Sequence, residues 1–155
     1  MSAPIAGRGT DVNASRLPLG IASNNPGNIR PGVDPWVGEL KPPDPRGYCR
    51  FDSPENGIRA LAKNLLAYQR KHNLRTVERI IARWAPGSEN DTEAYIRHVC
   101  QLTGYRRDEA IDVGDPDVLH DLVVAIIRHE NGPAPTPEGW YLEAVVSIGV
   151  MRAIA

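Results

Sequence analysis

The segment from Asp115 to Gly132 constrains the fold more than any other part of the chain. After Asp115-Pro116-Asp117 come Val118, Leu119, Leu122, Val123, Ala125, Ile126 and Ile127, and the run ends at His129-Glu130-Asn131-Gly132, just before Pro133. Aspartate is a favoured N-cap and proline suits the first helical position, so Asp115-Pro116 reads as a helix start. Apolar residues then occupy most of the helix circumference instead of one stripe. That is the pattern of a central helix buried on nearly all sides, and it has to be wrapped by other elements. A chain of 155 residues is long enough to do so within one domain.

The wrapping elements follow from periodicity and caps. Ser53-Pro54-Glu55 opens a helix whose apolar residues Ile58, Leu61, Ala62, Leu65, Leu66 and Tyr68 fall at helical spacing. A second helix runs from about Thr76 through Val77, Ile80, Ile81 and Trp84 and stops before Pro86. A third follows Asn90-Asp91-Thr92, with Tyr95, Ile96, Val99 and Leu102 on one face and Gly104 as its stop. The last segment, Glu138 to Ala155, reads as a further helix. Between Ile21 and Phe51, Asn, Gly and Pro recur every few residues around the isolated anchors Trp36, Tyr48 and Phe51. Short extended pieces or a small hairpin fit there, and a long helix does not. Residues 1–20 lack periodicity and read as an arm. The expected architecture is therefore mainly α (α+β), a helical domain over 21–155 with a small irregular or β-like lobe.

Charge and composition narrow the function. Eighteen Lys and Arg against 19 Asp and Glu leave a formal charge of −1, without the basic excess of nonspecific nucleic-acid binding. The longest apolar stretch, Leu122 to Ile127, is too short to span a bilayer, and the start has no apolar signal core. The expectation is a product made in the cytoplasm without a signal peptide, which needs delivery if its target lies outside the inner membrane. Cys49 and Cys100 lie outside any CxxC pattern and read as two small, partly buried thiols, with a disulfide as the alternative. Four histidines invite a metal search. However, the second His of an HExxH site would fall on Pro133, and His98 and Cys100 are two apart on a helix, where side chains diverge. No metal and no cofactor are expected, and there is no phosphate loop or GxSxG elbow.

Glu130 is the first candidate for chemistry. Partial burial raises a carboxyl pKa, and the C-terminus of a helix disfavours added negative charge, so an acid at the end of an apolar helix suits proton donation in glycoside hydrolysis. The plainer alternative is a solvated helix-end glutamate. Asn24-Asn25-Pro26-Gly27-Asn28-Ile29-Arg30 is the second feature, either an elaborate loop or a polar lining. Trp36, Tyr48 and Phe51 suit a sugar-stacking surface, since aromatic rings cover the apolar faces of pyranoses. They suit a hairpin core equally, and that is the stronger reading for Phe51.

The NNPGNIR string, Ser53-Pro54-Glu55 with Gly57-Ile58-Arg59-Ala60-Leu61, Arg83-Trp84-Ala85-Pro86 and His129-Glu130-Asn131-Gly132 together closely resemble a group of phage-associated proteins labelled structural or lysozyme-like. The likeness covers roughly Asn24 to Gly132. A weaker likeness is to glycoside hydrolase family 73, the bacterial glucosaminidases, at Asn24, Asn25, Trp36, Gly38, Phe51, Ser53, Glu55, Trp84, Ala85 and Tyr95. Those enzymes carry their catalytic glutamate at a helix end before the NN string, where this chain has no Glu. Val124 to Gly132 has the same character as that acid-bearing helix, so the resemblance implies a circular permutation.

What the resemblance implies is a lysozyme-like domain that cleaves peptidoglycan glycan strands, with Glu130 as acid and Tyr95 stabilising the sugar cation or positioning a water or acetamido group. Glu89, on the loop after Pro86-Gly87, is the first choice for a second carboxylate, ahead of Glu39, Asp52 and Glu55. Asn24, Asn25, Asn28, Arg30 and Trp36 are the implied substrate-binding residues. The implied partners are bacterial peptidoglycan and other virion or secretion proteins. Hydrolysis and lytic transglycosylation both stay open. Two other readings accompany this one: a virion or secretion-apparatus component that keeps the shape without cutting, and a sugar-binding module with Trp36 and Trp140 as stacking platforms.

Overall fold

The computed structural model describes residues 17–88, 90–132 and 142–155. In chain order the elements are α1 (Leu19–Ala22), β1 (Glu39–Leu40), β2 (Arg50–Phe51), α2 (Pro54–His72), α3 (Val77–Trp84), α4 (Thr92–Thr103), α5 (Pro116–Asn131) and α6 (Leu142–Ile154). The molecule is mainly helical with a small β lobe. The strands pair antiparallel, Glu39 opposite Phe51 and Leu40 opposite Arg50.

Four helices begin at the caps their sequences carry. Ser53 accepts from the Asn56 N–H, Thr76 from that of Arg79, Asp91 from that of Ala94 and Asp115 from that of Asp117. Asn73 and Gly104 end α2 and α4 in the left-handed conformation. These caps fix where each helix starts, and so which of its faces turns inward.

The centre is α5. Leu119, Leu122, Val123, Ala125, Ile126 and Ile127 are all buried, and the helix packs against α1, α2, α4 and α6. The most extensive helix pair is α2 with α6. Gly149 allows that approach, since a Cβ there would run into the Ile58 side chain and lie 3.0 Å from the Glu55 carbonyl oxygen.

Two details differ from the sequence reading. Packing begins before residue 20: Leu19–Ala22 is helical, Ile21 is in the core and Leu17 lies against it. The final helix starts at Leu142, and Glu138 to Tyr141 lie outside the described residues. Phe51 is a core residue at 2% exposure. Both cysteines are free thiols, Cys49 buried and Cys100 partly buried. Among the described residues no helix is long and apolar enough to cross a membrane.

Candidate active site

The Asn24–Arg30 loop sets one wall of the site, and its residue types follow from its backbone. Asn24 and Asn28 have φ of 55° and 52°, the left-handed region that asparagine tolerates better than most residues. Asn25 between them is fully buried. Its amide donates to the carbonyls of Ile29 and Cys49, both at 2.9 Å, and accepts from the Ile29 N–H at 2.9 Å. The Cys49 N–H bonds back to Ile29 and the Phe51 N–H to Ser23, so the loop is stitched to the chain leading into β2.

That stitching corrects part of the sequence reading. Asn25 is consumed by backbone groups and presents nothing to a ligand. Asn24 donates its amide to the Phe51 carbonyl at 3.1 Å. Trp36 is packed against the core, and its backbone N–H binds Glu39. The indole does not line the groove described below. The two asparagine amides are engaged by the backbone of the lobe, as asparagines beside tight turns commonly are.

Asn28 is placed differently. Its Nδ2 donates to Oε1 of Glu130 at 2.8 Å. The other carboxyl oxygen, Oε2, accepts from the Tyr95 hydroxyl at 2.7 Å. Tyr95 is 1% exposed, and its oxygen accepts in turn from the Trp84 indole N–H at 3.1 Å. Burial, with the Glu130 carboxylate beside it, pushes the Tyr95 phenol far above its ordinary range, so it stays a donor. Glu130 is therefore clamped from two sides, Oε2 by the Tyr95 hydroxyl and Oε1 by the Asn28 amide, and it is only half-buried.

Glu130 borders a groove of about 340 Å³. Asn28, Asn64 and Asn90 supply amides to its lining, Tyr48, Tyr68 and Trp84 supply rings, and Arg30 and Glu130 supply the charges. Glu130 is the one carboxylate among the described residues that lines it. Glu39 accepts from Trp36 and Lys41, Asp52 accepts from Asn56, and Glu55 sits in the first turn of α2, all outside the lining. Glu89 and Trp140 lie outside the described residues.

Tyr48 is held by charge. Arg46 lies 4.4 Å from its ring centroid and Arg30 lies 5.3 Å away, on the cation–π scale. Arg46 is fixed by the buried Asp44 at 2.7 Å. Burial alone would raise the Asp44 carboxyl, but bonds from the Arg46 side chain and from the N–H groups of Tyr48 and Arg46 hold it below the ordinary range.

No known family profile matches the chain. Over 119 residues, 75% of this chain and 72% of the relative, it is 40% identical to Protein P5 of Pseudoalteromonas phage PM2. The chain belongs to the family of this phage protein. The name P5 states neither an activity nor a ligand, so the chemistry open to this P5-family chain has to be argued from its own side chains.

Two residues that sequence reasoning passed over set the Glu130 clamp in the P5-family chain. Asn131 donates to the Pro26 carbonyl at 2.7 Å and the Ile127 carbonyl at 2.9 Å, tying the end of α5 to the loop. The carbonyl partners of Asn131 cannot donate, so its amide orientation is set, and the Oδ1 atoms of Asn28 and Asn131 are both buried. Neither Oδ1 accepts a hydrogen bond among the described residues. Both lean on Gly20, where a Cβ would lie 2.8 Å from Asn28 Oδ1 and 3.1 Å from Asn131 Oδ1. Nothing in the local sequence LGIA signals that requirement.

Proposed function

We propose that this chain cleaves the glycan strands of bacterial peptidoglycan, with Glu130 protonating the leaving glycosidic oxygen. The observation that carries the reading is the clamped Glu130 carboxyl at the edge of a groove lined by amides and aromatic rings. Uncharged amides and ring faces suit acetamido sugars, whose polar edges need hydrogen bonds and whose faces are apolar. Tyr95, anchored by Trp84, holds Oε2, and the glycosidic oxygen would displace the Asn28 amide from Oε1. A single acid suffices where the substrate's own acetamido or hydroxyl group completes the displacement, as in substrate-assisted or transglycosylase chemistry. The apolar helix ending in Glu130 would then take the place of the acid-bearing helix of the family 73 glucosaminidases, moved from before the NN string to after it.

The test is release of soluble muropeptides from purified sacculi by the full chain and by Glu130→Gln. The expected loss in the variant, with its circular dichroism unchanged, is about 10²- to 10⁴-fold. Equal release by both would move the acid elsewhere.

A second reading, a virion component without enzymatic activity, draws support from α6, whose outer side exposes Ile148, Met151 and Ile154. It predicts that the chain stays with purified particles and releases nothing from sacculi.

A further inference from the structure

Two histidines remain unused by this chemistry although they adjoin it. Tyr95 and His98, one helical turn apart on α4, face His129 and Glu130, adjacent on α5. The His129 ring stacks on the Tyr95 ring, with centroids 3.6 Å apart and planes inclined by 26°. The Nδ1 atoms of His98 and His129 meet at 2.9 Å. With the Tyr95–Glu130 hydrogen bond, the four side chains form one chain of contacts that starts at His98 and ends at the candidate acid.

We propose that His98 and His129 are a proton-sharing couple of positioning residues, holding Tyr95 and through it Glu130 in place only while at least one imidazole is neutral. A cationic imidazole presents N–H at both ring nitrogens, so two cations would meet donor to donor at Nδ1. The contact needs one bare Nδ1, and the second proton therefore separates the rings. His129 then leaves the face of Tyr95, and the phenol that anchors Oε2 loses the ring packed against it.

The surroundings agree. Burial disfavours the charged form of His129 and His98 disfavours it further, while Glu130 favours it; the balance lies below the ordinary histidine range. Among the charges on the elements around the couple, Arg97 of α4 pairs with Glu93 at 3.7 Å, Glu78 of α3 with Arg107 at 3.0 Å, Glu143 of α6 lies 3.9 Å from His120, Arg83 of α3 lies 5.5 Å from the Tyr68 ring of α2, Arg128 adjoins His129 on α5, and α1 carries no titratable side chain. The couple itself stands independently of the glycan-cutting proposal; only the role of Glu130 at its far end rests on that reading.

The experiment is nitrogen-detected NMR of the histidines in the full chain without substrate, titrated from about pH 8 to 4.5, with the Tyr95 ring signals followed in parallel. The expected result is two coupled steps separated by more than about one unit, the second moving the Tyr95 signals. His98→Gln keeps a neutral hydrogen-bonding group on a partly exposed site. It should abolish the Tyr95 response and shift the acid limb of muropeptide release about one pH unit lower. Independent titration of the two rings, or Tyr95 signals indifferent to both steps, would overturn the couple. Coupled titration without muropeptide release at any pH would keep the couple and sink the glycan-cutting reading instead.

Discussion

Asn28 and Glu130 are 102 positions apart in the chain, yet Nδ2 of one and Oε1 of the other meet at 2.8 Å. The contact joins a left-handed turn in the small lobe to the end of the central helix. Because asparagine is needed there both for its backbone and for its amide, glycine separates the two roles. Asn28→Gly keeps the positive φ and removes the donor. It should cost about 1–2 kcal/mol of stability in urea unfolding, and about tenfold in sacculus digestion. A variant as active as the parent would show that the clamp on Oε1 is dispensable.

Gly20 should tolerate no side chain. A Cβ there meets the Asn25 carbonyl and the Asn28 amide oxygen at 2.8 Å, and both belong to the loop that holds the acid. Gly20→Ala should destabilise the fold by about 1–3 kcal/mol through overpacking, read as a lowered Tm. Asn131→Ala, which frees the loop from α5 without a clash, should lower Tm by a comparable amount. An unchanged Tm in both would mean the junction is looser than these distances imply.

Tyr95→Phe removes the donor to Oε2 and leaves the Trp84 indole N–H without its acceptor. The loss should be about 1–3 kcal/mol, and Trp84 fluorescence should report the change directly. Wild-type stability with unaltered emission would count against the Trp84–Tyr95–Glu130 relay.

Acid should weaken the fold in a defined window. His129 titrates below its unfolded value of 6.5, chiefly through burial and then His98, with Glu130 opposing. Its contribution is therefore complete above about pH 6.5 and falls as pH drops through that value toward the folded pKa, because the unfolded chain takes up the proton first. Tm scans should decline across this range, and His129→Phe should flatten the decline. An equal slope in the variant would place the sensitivity elsewhere.

Cys49 should resist thiol reagents. Burial first, then the Glu39 carboxylate, pushes it up to about 11, so almost none is thiolate at pH 8. A folded sample treated with an aromatic disulfide reagent should leave Cys49 unmodified, and unfolding should release both thiols at once. Rapid labelling of Cys49 in the native protein would contradict its burial.

Much of the scaffold was legible in the residues. Ser53, Thr76, Asp91 and Asp115 cap their helices, and the apolar girth of Val118–Ile127 becomes a buried core helix, because caps and periodicity are local properties. The candidate groove was legible only where a residue type is unusual for its place, as with Glu130, which lines it from the end of a greasy helix. Asn25 turns inward because an asparagine suited to a ligand is equally suited to a turn, and only the fold reveals which claim prevails. Trp84 and Tyr68 were hidden for the opposite reason: on helical spacing they read as core, while in space they border the groove. Gly20 acts through packing between distant segments, which leaves no mark on its local string, and Asn131 stood in a quoted motif whose string says nothing of its bond to Pro26.

The groove draws its lining from the 27–30 loop, the turn before β2, α2, the end of α3 with the loop after it, and the last turn of α5. No single one of these segments carries more than a third of the lining residues. Groove and fold are thus inseparable here: until the last turn of α5 has docked against the lobe, Glu130 borders no groove at all.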